Sequence, residues 1–257
     1  MLNARYARIL FAFSLIIPLF FHWENKTLIG IYLLLFVAYV SIVFYGSYFI
    51  QSDFFLRSLW KGSKERKAIA ITFDDGPMAE FTPRLLDLLK SESVPAAFFL
   101  IGKNIDGNET LVKRMADEGH VIGNHSYSHT FWFSLNGSKT ITEDLKKCDD
   151  EIFRVTGKKP KFFRPPYGVI NPMVKNAIQN GNYACIGWSI RTYDTNAKSA
   201  ERLLRKSLKN LGNGDIILFH DWGQFTIGIL SDFIREVRAR GFEIVGVDEL
   251  LNTKAYY

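Results

Sequence analysis

The sequence predicts an α/β protein built on a parallel sheet and preceded by a membrane anchor. From about residue 67 onward, short apolar runs alternate with amphipathic stretches of helical period. Two stretches without charge come before them, one from Ile9 to Trp23 and one from Thr27 to Ser52. Polar side chains gather directly after several of the apolar runs, as they do at the carboxyl ends of barrel strands.

Residues 1–52 are expected to form the anchor, with transmembrane helices at about 9–23 and 28–46. The second stretch is long enough to cross a bilayer, which needs about 20 apolar residues. The first is shorter, but Arg8 can extend its charge toward water and Trp23 suits the interface. A cleaved signal peptide is the alternative for the first stretch, yet no small-residue cleavage site follows it. Two spans joined by residues 24–26 form a helical hairpin, and a single span is the alternative.

Basic residues stand on both sides of this hairpin. Arg5 and Arg8 precede it, and the segment 53–66 reads as a basic juxtamembrane linker. Positive charge favours the cytoplasmic side, so we expect a two-span membrane protein with its soluble part on the cytoplasmic face; the extracytoplasmic face is the alternative. The net charge of +6 suits anionic lipid. No basic run is interleaved with aromatics, which disfavours nucleic acid, and no motif indicates a protein partner.

The soluble part, residues 67–257, reads as about seven strand and helix units. Such alternation favours a parallel sheet, and seven units suggest a barrel. Thr82 and Pro83 mark one helix start, and glycines stand beyond several helix ends. The predicted strands are 68–73, 96–101, 120–124, 162–164, 184–190, 215–219 and 243–247. The first predicted helix begins at residue 82, and the other predicted helices cover 111–118, 142–156, 171–180, 199–211 and 225–240.

Two adjacent carboxylates, Asp74 and Asp75, follow the first predicted strand in the run Thr-Phe-Asp-Asp-Gly-Pro at 72–77. Neighbouring side chains of a strand point to opposite faces, but the Gly-Pro turn can bend the chain and aim both into one cleft. One carboxylate could then bind a metal while the other accepts a proton. Taken alone, the run is also typical of a solvated turn, so the polar residues further along decide.

Later strands are followed by polar clusters too: His125 and His129, the run 164–168, Asp194, and His220. His125 and His129 are four apart, so a helical turn would project both imidazoles to one side. Their neutral nitrogens suit a divalent metal such as zinc. With one Asp they make a two-His, one-carboxylate set that leaves room for water and substrate. Ser126 stands where the zinc-protease helix has Glu, which excludes that class.

Together these runs resemble the motifs of the polysaccharide deacetylases of the NodB-homology type, carbohydrate esterase family 4. The first motif is unaltered at 72–77, His-Ser-x-x-His is 125–129, Arg-Pro-Pro-Tyr-Gly is 164–168, and Leu-x-His is 218–220. The resemblance covers the soluble part and says nothing about the two spans. It implies a distorted (β/α)7 barrel over residues 67–257 as the catalytic domain.

The resemblance implies that Asp75, His125 and His129 hold one divalent metal ion, with zinc favoured and cobalt, nickel or manganese as alternatives. Asp74 would be the general base that takes a proton from the attacking water. Arg164 would hold Asp74 in place by a forked, charge-assisted contact.

The resemblance gives the remaining residues roles around the acetyl group. His220, oriented and charged by Asp194, would deliver a proton to the leaving amine. The backbone N–H of Tyr167 would stabilise the oxyanion. Leu218 would line the pocket for the acetyl methyl, and Pro165 would take part in binding substrate.

The fourth motif departs from the family pattern. Many members read Trp-x-x-Asp-x-x-Asp-Trp, whereas this chain reads Trp-Ser-Ile-Arg-Thr-Tyr-Asp-Thr at 188–195. Thr195 replaces the Trp that helps to wall the acyl pocket, which loosens the fit to a small acyl group unless Trp188 compensates by binding it. Arg191 replaces an Asp. It is either a surface ion-pair residue or a contact for an anionic group such as a phosphate.

The sequence therefore predicts a membrane-anchored, metal-dependent hydrolase that removes N-acetyl groups from amino sugars of a glycan or a lipid-linked glycan precursor. Hydrolysis of O-acetyl esters on a polysaccharide is the near alternative, since the same groups serve both reactions. An inactive glycan-binding scaffold at the membrane is the alternative from another class. Its partners would be the acetylated substrate and the lipid bilayer.

Overall fold

The computed structural model describes residues 3–21 and 24–257. Residues 22 and 23, the end of the first predicted span, lie outside the described residues. The helices are α1 (Ala4–Ile16), α2 (Asn25–Tyr48), α3 (Thr82–Ser91), α4 (Glu109–Asp117), α5 (Ser138–Thr156), α6 (Pro172–Asn180), α7 (Ala200–Leu208), α8 (Gln224–Ala239) and α9 (Val247–Leu251). The strands are β1 (Ala68–Asp74), β2 (Ala96–Leu100), β3 (Val121–Asn124), β4 (Phe162–Phe163), β5 (Ala184–Cys185), β6 (Ile190–Arg191), β7 (Ile216–His220) and β8 (Glu243–Ile244).

The two N-terminal helices lie side by side. Phe11 stacks on Tyr39 with ring centroids 4.2 Å apart, and the hydroxyl of Tyr32 donates to the carbonyl of Leu15 at 3.1 Å. In the described part of the chain, α2 is the one helix long and apolar enough to cross a membrane. The 13 residues of α1 extend only about 20 Å, against a hydrocarbon core of about 30 Å. The structure therefore contains one candidate membrane span among the described residues, where the sequence predicts a hairpin of two.

The strands form one parallel sheet in the order β5-β4-β3-β2-β1-β7-β6, with β8 beside β1. The predicted strand 184–190 is two short strands, because β5 pairs with β4 at one edge of the sheet and β6 pairs with β7 at the other. Between them the N–H of Gly187 donates to Leu59, and the carbonyl of Trp188 accepts from the Gln51 amide at 2.7 Å. The architecture is therefore a half-barrel whose two edges are connected by residues 184–191. The last predicted strand is shortened to β8 because Val247 begins α9.

The segment 53–66, for which the sequence predicts a linker, makes regular contacts with the domain. Leu59 forms a parallel bridge with Ile186, and Lys61 forms an antiparallel bridge with Asp215. The Lys61 ammonium also lies 2.6 Å from the buried Asp215 carboxylate. The segment thus contacts chain on both edges of the sheet, next to β5 and at the start of β7.

Alternation along β1 separates the outside of the sheet from its inside. Ile69, Ile71 and Phe73 belong to the apolar core under the outer helices, whereas Ala70 belongs to a second core inside the half-barrel. Thr72 shares the inward face with Ala70 and is fully buried. The inner face of β1 therefore leads from an apolar base to polar groups at the carboxyl end of the strand.

A matched pair of glycine substitutions tests how closely the segment 53–66 is packed. At Gly214, φ is 78°, and an added Cβ would lie 2.6 Å from the carbonyl oxygen of Gly62. We expect Gly214→Ala to lower the free energy of unfolding by about 2 kcal/mol or more. Gly228 lies in the interior of α8 with open space around its Cα, so Gly228→Ala should raise that free energy by about 0.5–1 kcal/mol. The midpoint of thermal unfolding measures both, and equal effects would contradict the close packing.

Candidate active site

A pocket of about 270 Å³ lies at the carboxyl ends of the strands, and we call it the strand-end pocket. Both predicted carboxylates, Asp74 and Asp75, reach it. Strand β1 ends at Asp74, and Asp75 turns away with a φ of 76°. This left-handed residue breaks the strand alternation, so that neighbouring side chains face one space. The pocket is lined by Asp74, Asp75, His125, His129, Tyr167, Gly168, Trp188, Arg191, Thr195, Asn196, Leu218, His220 and Trp222.

Asp75, His125 and His129 bring one ligand atom each to within 4.8 Å of one another. The Oδ1 atom of Asp75 lies 3.5 Å from Nε2 of His125 and 3.3 Å from Nε2 of His129. Two ligands at zinc-bond length in a tetrahedral array are separated by roughly 3.3 Å. The donor types and these separations therefore fit a divalent ion such as zinc.

The protonation of the cluster also suits a metal. Nδ1 of His125 lies 2.7 Å from the carbonyl oxygen of Arg164 and donates to it, which leaves Nε2 as the ring nitrogen that faces Asp75. Burial, followed by repulsion from His125, lowers the pKa of His129 to about 4. Burial raises the pKa of Asp75, but the hydrogen bond and charge of His125 outweigh it and hold that pKa well below its ordinary value. At neutral pH, His129 is thus a neutral nitrogen donor and Asp75 an anionic oxygen donor.

The two histidines converge through a loop and not through the helical turn considered above. Ser126 and His129 both have positive φ, at 68° and 45°. The loop is held by its own polar groups, because the Asn124 side chain accepts from the Ser126 N–H at 2.7 Å and the Ser126 hydroxyl accepts from the His129 N–H at 3.0 Å. The carboxylate of Asp144 on α5 accepts from two further N–H groups of the loop. Side-chain acceptors therefore replace the hydrogen bonds that a helix would supply.

Arg164 is fully buried and binds Asp74 through a single N–H group. Its Nη1 lies 2.7 Å from Oδ1 of Asp74 and 2.8 Å from the Thr72 hydroxyl. Nε and Nη2 donate to the carbonyls of Ile186 and Gly187. The predicted fork is thus absent, because the other donors are taken by the chain that connects β5 to β6. The Oδ2 atom of Asp74 faces His125 at 3.9 Å.

On the other side of the pocket, Asp194 binds His220. Nδ1 of His220 lies 2.8 Å from Oδ1 of Asp194, and Nε2 points toward Asp75, whose Oδ2 is 4.0 Å away. Burial lowers the pKa of His220, but the hydrogen bond and charge of Asp194 outweigh burial, so the pKa lies above its ordinary value. The imidazole is thus held as a proton donor facing the pocket.

Tyr167 and Pro165 form one tight turn. Tyr167 has a φ of 60°, and the Gly168 N–H donates to the Pro165 carbonyl at 2.9 Å. The Tyr167 ring stands beside His129, with centroids 5.0 Å apart. Pro165 itself does not line the strand-end pocket; it supports the turn that presents Tyr167.

Trp188 and Leu218, which the resemblance places around the acetyl methyl, are both buried and line the pocket. Gly168 lets the indole approach, since a Cβ there would lie 2.3 Å from Trp188. Thr195 and Arg191 also line the pocket, so both departures from the fourth motif face the same space as the predicted catalytic groups.

Two residues near the cluster escaped the sequence interpretation. The indole N–H of Trp222 donates to Oδ2 of Asp75 at 3.0 Å, and the hydroxyl of Thr226 donates to Oδ2 of Asp194 at 2.7 Å. Trp222 stands two positions after His220, and its place just beyond a strand end is the sequence feature that could have predicted a site residue there. Thr226 lies inside the predicted helix 225–240, and nothing in its spacing marks it.

Comparison with known proteins gives consistent relatives. The model of the polysaccharide deacetylase family matches residues 61–186. A peptidoglycan-N-acetylglucosamine deacetylase of Bacillus cereus is 36% identical over 199 residues, which cover 76% of this chain and 72% of that protein. The peptidoglycan-N-acetylmuramic acid deacetylase PdaA of Bacillus subtilis is 30% identical over a region that covers 77% of this chain and 76% of that protein.

A solved structure is also similar to this chain. It is a peptidoglycan N-acetylglucosamine deacetylase in complex with 4-naphthalen-1-yl-N-oxidanyl-benzamide, with a TM-score of 0.73 and 35% identity, covering 78% of this chain and 95% of that one. The resemblance predicted from four motifs is thereby confirmed. The chain belongs to the polysaccharide deacetylase family of the NodB-homology type, carbohydrate esterase family 4.

Proposed function

We propose that this protein is a metal-dependent deacetylase that removes N-acetyl groups from amino sugars of a glycan. The observation that carries the proposal is one pocket in which a three-ligand cluster lies between a carboxylate paired with arginine and a histidine paired with aspartate. The relatives whose names describe deacetylation of peptidoglycan sugars support the same reaction.

Asp75, His125 and His129 would hold the ion, which supplies positive charge to polarise the acetyl carbonyl and to acidify water. Asp74 accepts the proton of the attacking water, and the buried Arg164 holds this carboxylate in place. These assignments divide the adjacent carboxylates between binding and proton transfer.

The other pocket residues act on the acetyl group and on the leaving group. The Tyr167 N–H, in its left-handed turn, donates to the oxyanion. Leu218 and Trp188 surround the acetyl methyl. His220 gives its proton to the departing amine, and Asp194 stabilises the charged imidazole until that step.

The proton donor His220 favours an amide over an ester as the substrate. An amine cannot leave as an anion, so amide hydrolysis requires the proton that His220 holds, whereas an ester depends on it less. The inactive scaffold is disfavoured because each group that the reaction needs stands in the pocket with its partner.

We also propose that α2 anchors the domain in a membrane. Its 24 residues extend about 36 Å. The most apolar 18-residue stretch of this helix is not buried by the rest of the described chain. A second span stays part of the proposal: α1 and the turn Ile17–Phe20 that follows it come before α2, and α1 lies beside it. Basic residues on both sides of this pair, Arg5 and Arg8 at its start and segment 53–66 after it, favour a hairpin with the domain on the cytoplasmic face.

Removing the base tests the assignment of Asp74. We expect Asp74→Asn to lower the rate of acetate release from chitotetraose by about 10³-fold, because proton transfer contributes rate enhancements of that order. Chelator should abolish release by the wild type, and added zinc should restore it. Asp106→Asn, at an exposed position outside the pocket, is the matched control. Unchanged release by Asp74→Asn would exclude the assignment.

The charge of Asp194 should set the alkaline limit of activity. Since Asp194 raises the pKa of His220, Asp194→Asn lowers it, and the acid loses its proton at a lower pH. The falling limb of the kcat profile should therefore move to lower pH. Thr226→Val removes a hydrogen bond to Asp194 but not its charge, so its limb should move less. A limb that stays in place in Asp194→Asn would contradict the role of His220 as acid.

Reporter fusions at the C-terminus test on which side of the membrane the domain lies. With both flanks on the cytoplasmic side, a reporter fused after Tyr257 should be active only in its cytoplasmic form. Paired fusions of a periplasm-active phosphatase and a cytoplasm-active fluorescent protein measure this. Phosphatase activity of the C-terminal fusion would place the domain on the other face.

A further inference from the structure

A second groove adjoins the strand-end pocket. Its volume is about 320 Å³, and the two spaces share Asn196 as a common wall. The groove runs over the first turns of α7 and carries three cations, Lys198, Arg202 and Lys206. We call it the basic groove. A group bound there would lie next to a sugar held in the strand-end pocket.

The cations of the basic groove have no carboxylate partner among residues 3–21 and 24–257. None of the three lies within ion-pair distance of an acidic side chain, whereas Arg66, Arg114 and Arg154 elsewhere each bind two. The acidic residue of α7, Glu201, points outward with 89% of its side chain exposed and lies 4.0 Å from Arg205. The positive charge of these exposed side chains is thus not neutralised by a carboxylate of the described chain.

Arg191 extends this charge into the strand-end pocket. Its guanidinium lies 5.0 Å from the ring centroid of Tyr193, and the Lys206 ammonium lies 3.8 Å from the same centroid. Arg191 makes no ion pair within the described chain either, which leaves its charge facing the pocket. One aromatic ring therefore holds a cation of the pocket beside a cation of the groove.

We propose that the basic groove, with Arg191 at its entrance, binds the phosphate groups of an acetylated amino sugar that carries a phosphate or diphosphate at its anomeric carbon. This inference rests on the proposed deacetylation. In such a substrate the phosphate is attached to the carbon next to the one that carries the acetamido group, which matches a groove that shares a wall with the acetyl pocket.

Phosphate is favoured over a carboxylate by the number of charges. A single carboxylate would leave most of the four cations unneutralised, whereas a diphosphate carries several negative charges and many acceptor oxygens. Arginine recognises phosphate oxygens through its fork and lysine through a point charge. A neutral glycan could still enter the strand-end pocket but would gain nothing from the groove.

The experiment compares full-length wild type with two variants that lose equal charge. Arg202→Gln/Lys206→Gln removes two cations of the groove, and Arg205→Gln/Lys209→Gln removes two cations of the same region that do not line it. The substrates are chitotetraose, UDP-N-acetylglucosamine and undecaprenyl-diphospho-N-acetylglucosamine. Calorimetric binding of UDP, which has no acetyl group, is read independently of activity.

We expect the groove variant to raise KM for a diphosphate substrate, and the Kd of UDP, about tenfold or more, since each lost charge-assisted contact weakens binding by that order. Chitotetraose should keep its kcat and KM within twofold, and the matched control should stay within twofold throughout. A larger effect with the undecaprenyl substrate identifies the lipid-linked source, and a larger effect with the UDP sugar identifies the nucleotide-linked one.

Equal UDP affinity in all three proteins, or equal loss with chitotetraose, would overturn the proposal. So would a selective loss confined to a peptidoglycan fragment with free carboxylates. If the wild type released no acetate from any substrate while UDP still bound through Arg202 and Lys206, the deacetylase assignment would fail and the anion site would stand.

Discussion

The buried pair of Arg164 and Asp74 is the interaction on which the rest of the site depends. A charge without a partner is costly inside a protein, and a buried pair is worthwhile only when its remaining donors are satisfied. Arg164 meets this condition by donating to Asp74, to Thr72 and to the carbonyls of Ile186 and Gly187. The same guanidinium therefore fixes a carboxylate at the end of β1 and holds the chain that connects the two sheet edges. Its ring neighbour Phe99, 4.1 Å away, excludes water from one face.

Around this pair, similar carboxylates acquire different properties from their partners. Asp74 is bound to a permanent cation, Asp75 faces imidazoles and the Trp222 indole, and Asp194 is bound to His220. Each lies at or just beyond the carboxyl end of a strand, where the parallel sheet brings distant parts of the sequence together. The fold supplies the proximity, and the different partners of these carboxylates are what support the three different roles proposed for them above.

Sequence patterns were sufficient for the ends of five of the seven predicted strands and for the family, because alternation and contiguous motifs are local signals. The place of Asp74 and Asp75 in one pocket followed from the turn after β1. The break in the predicted strand 184–190 did not, since it depends on Gln51, a residue far away in sequence that binds the Trp188 carbonyl. The fork expected from Arg164 was wrong for a similar reason, because competing carbonyl acceptors arise only when the half-barrel forms. The periodicity of a sequence carries no information about contacts between segments that are far apart along the chain.

If α2 anchors the protein as proposed, its docking against the domain would limit where the deacetylase works. The last turn of α2 accepts a hydrogen bond from Ile170, three residues after Tyr167, and Gln51 holds the carbonyl of Trp188 in the pocket wall. With α2 in a bilayer, these hydrogen bonds would hold the pocket opening close to the helix end and so close to the lipid surface. Such an enzyme would sample sugars confined to one thin layer near the membrane and would leave glycan strands further away untouched.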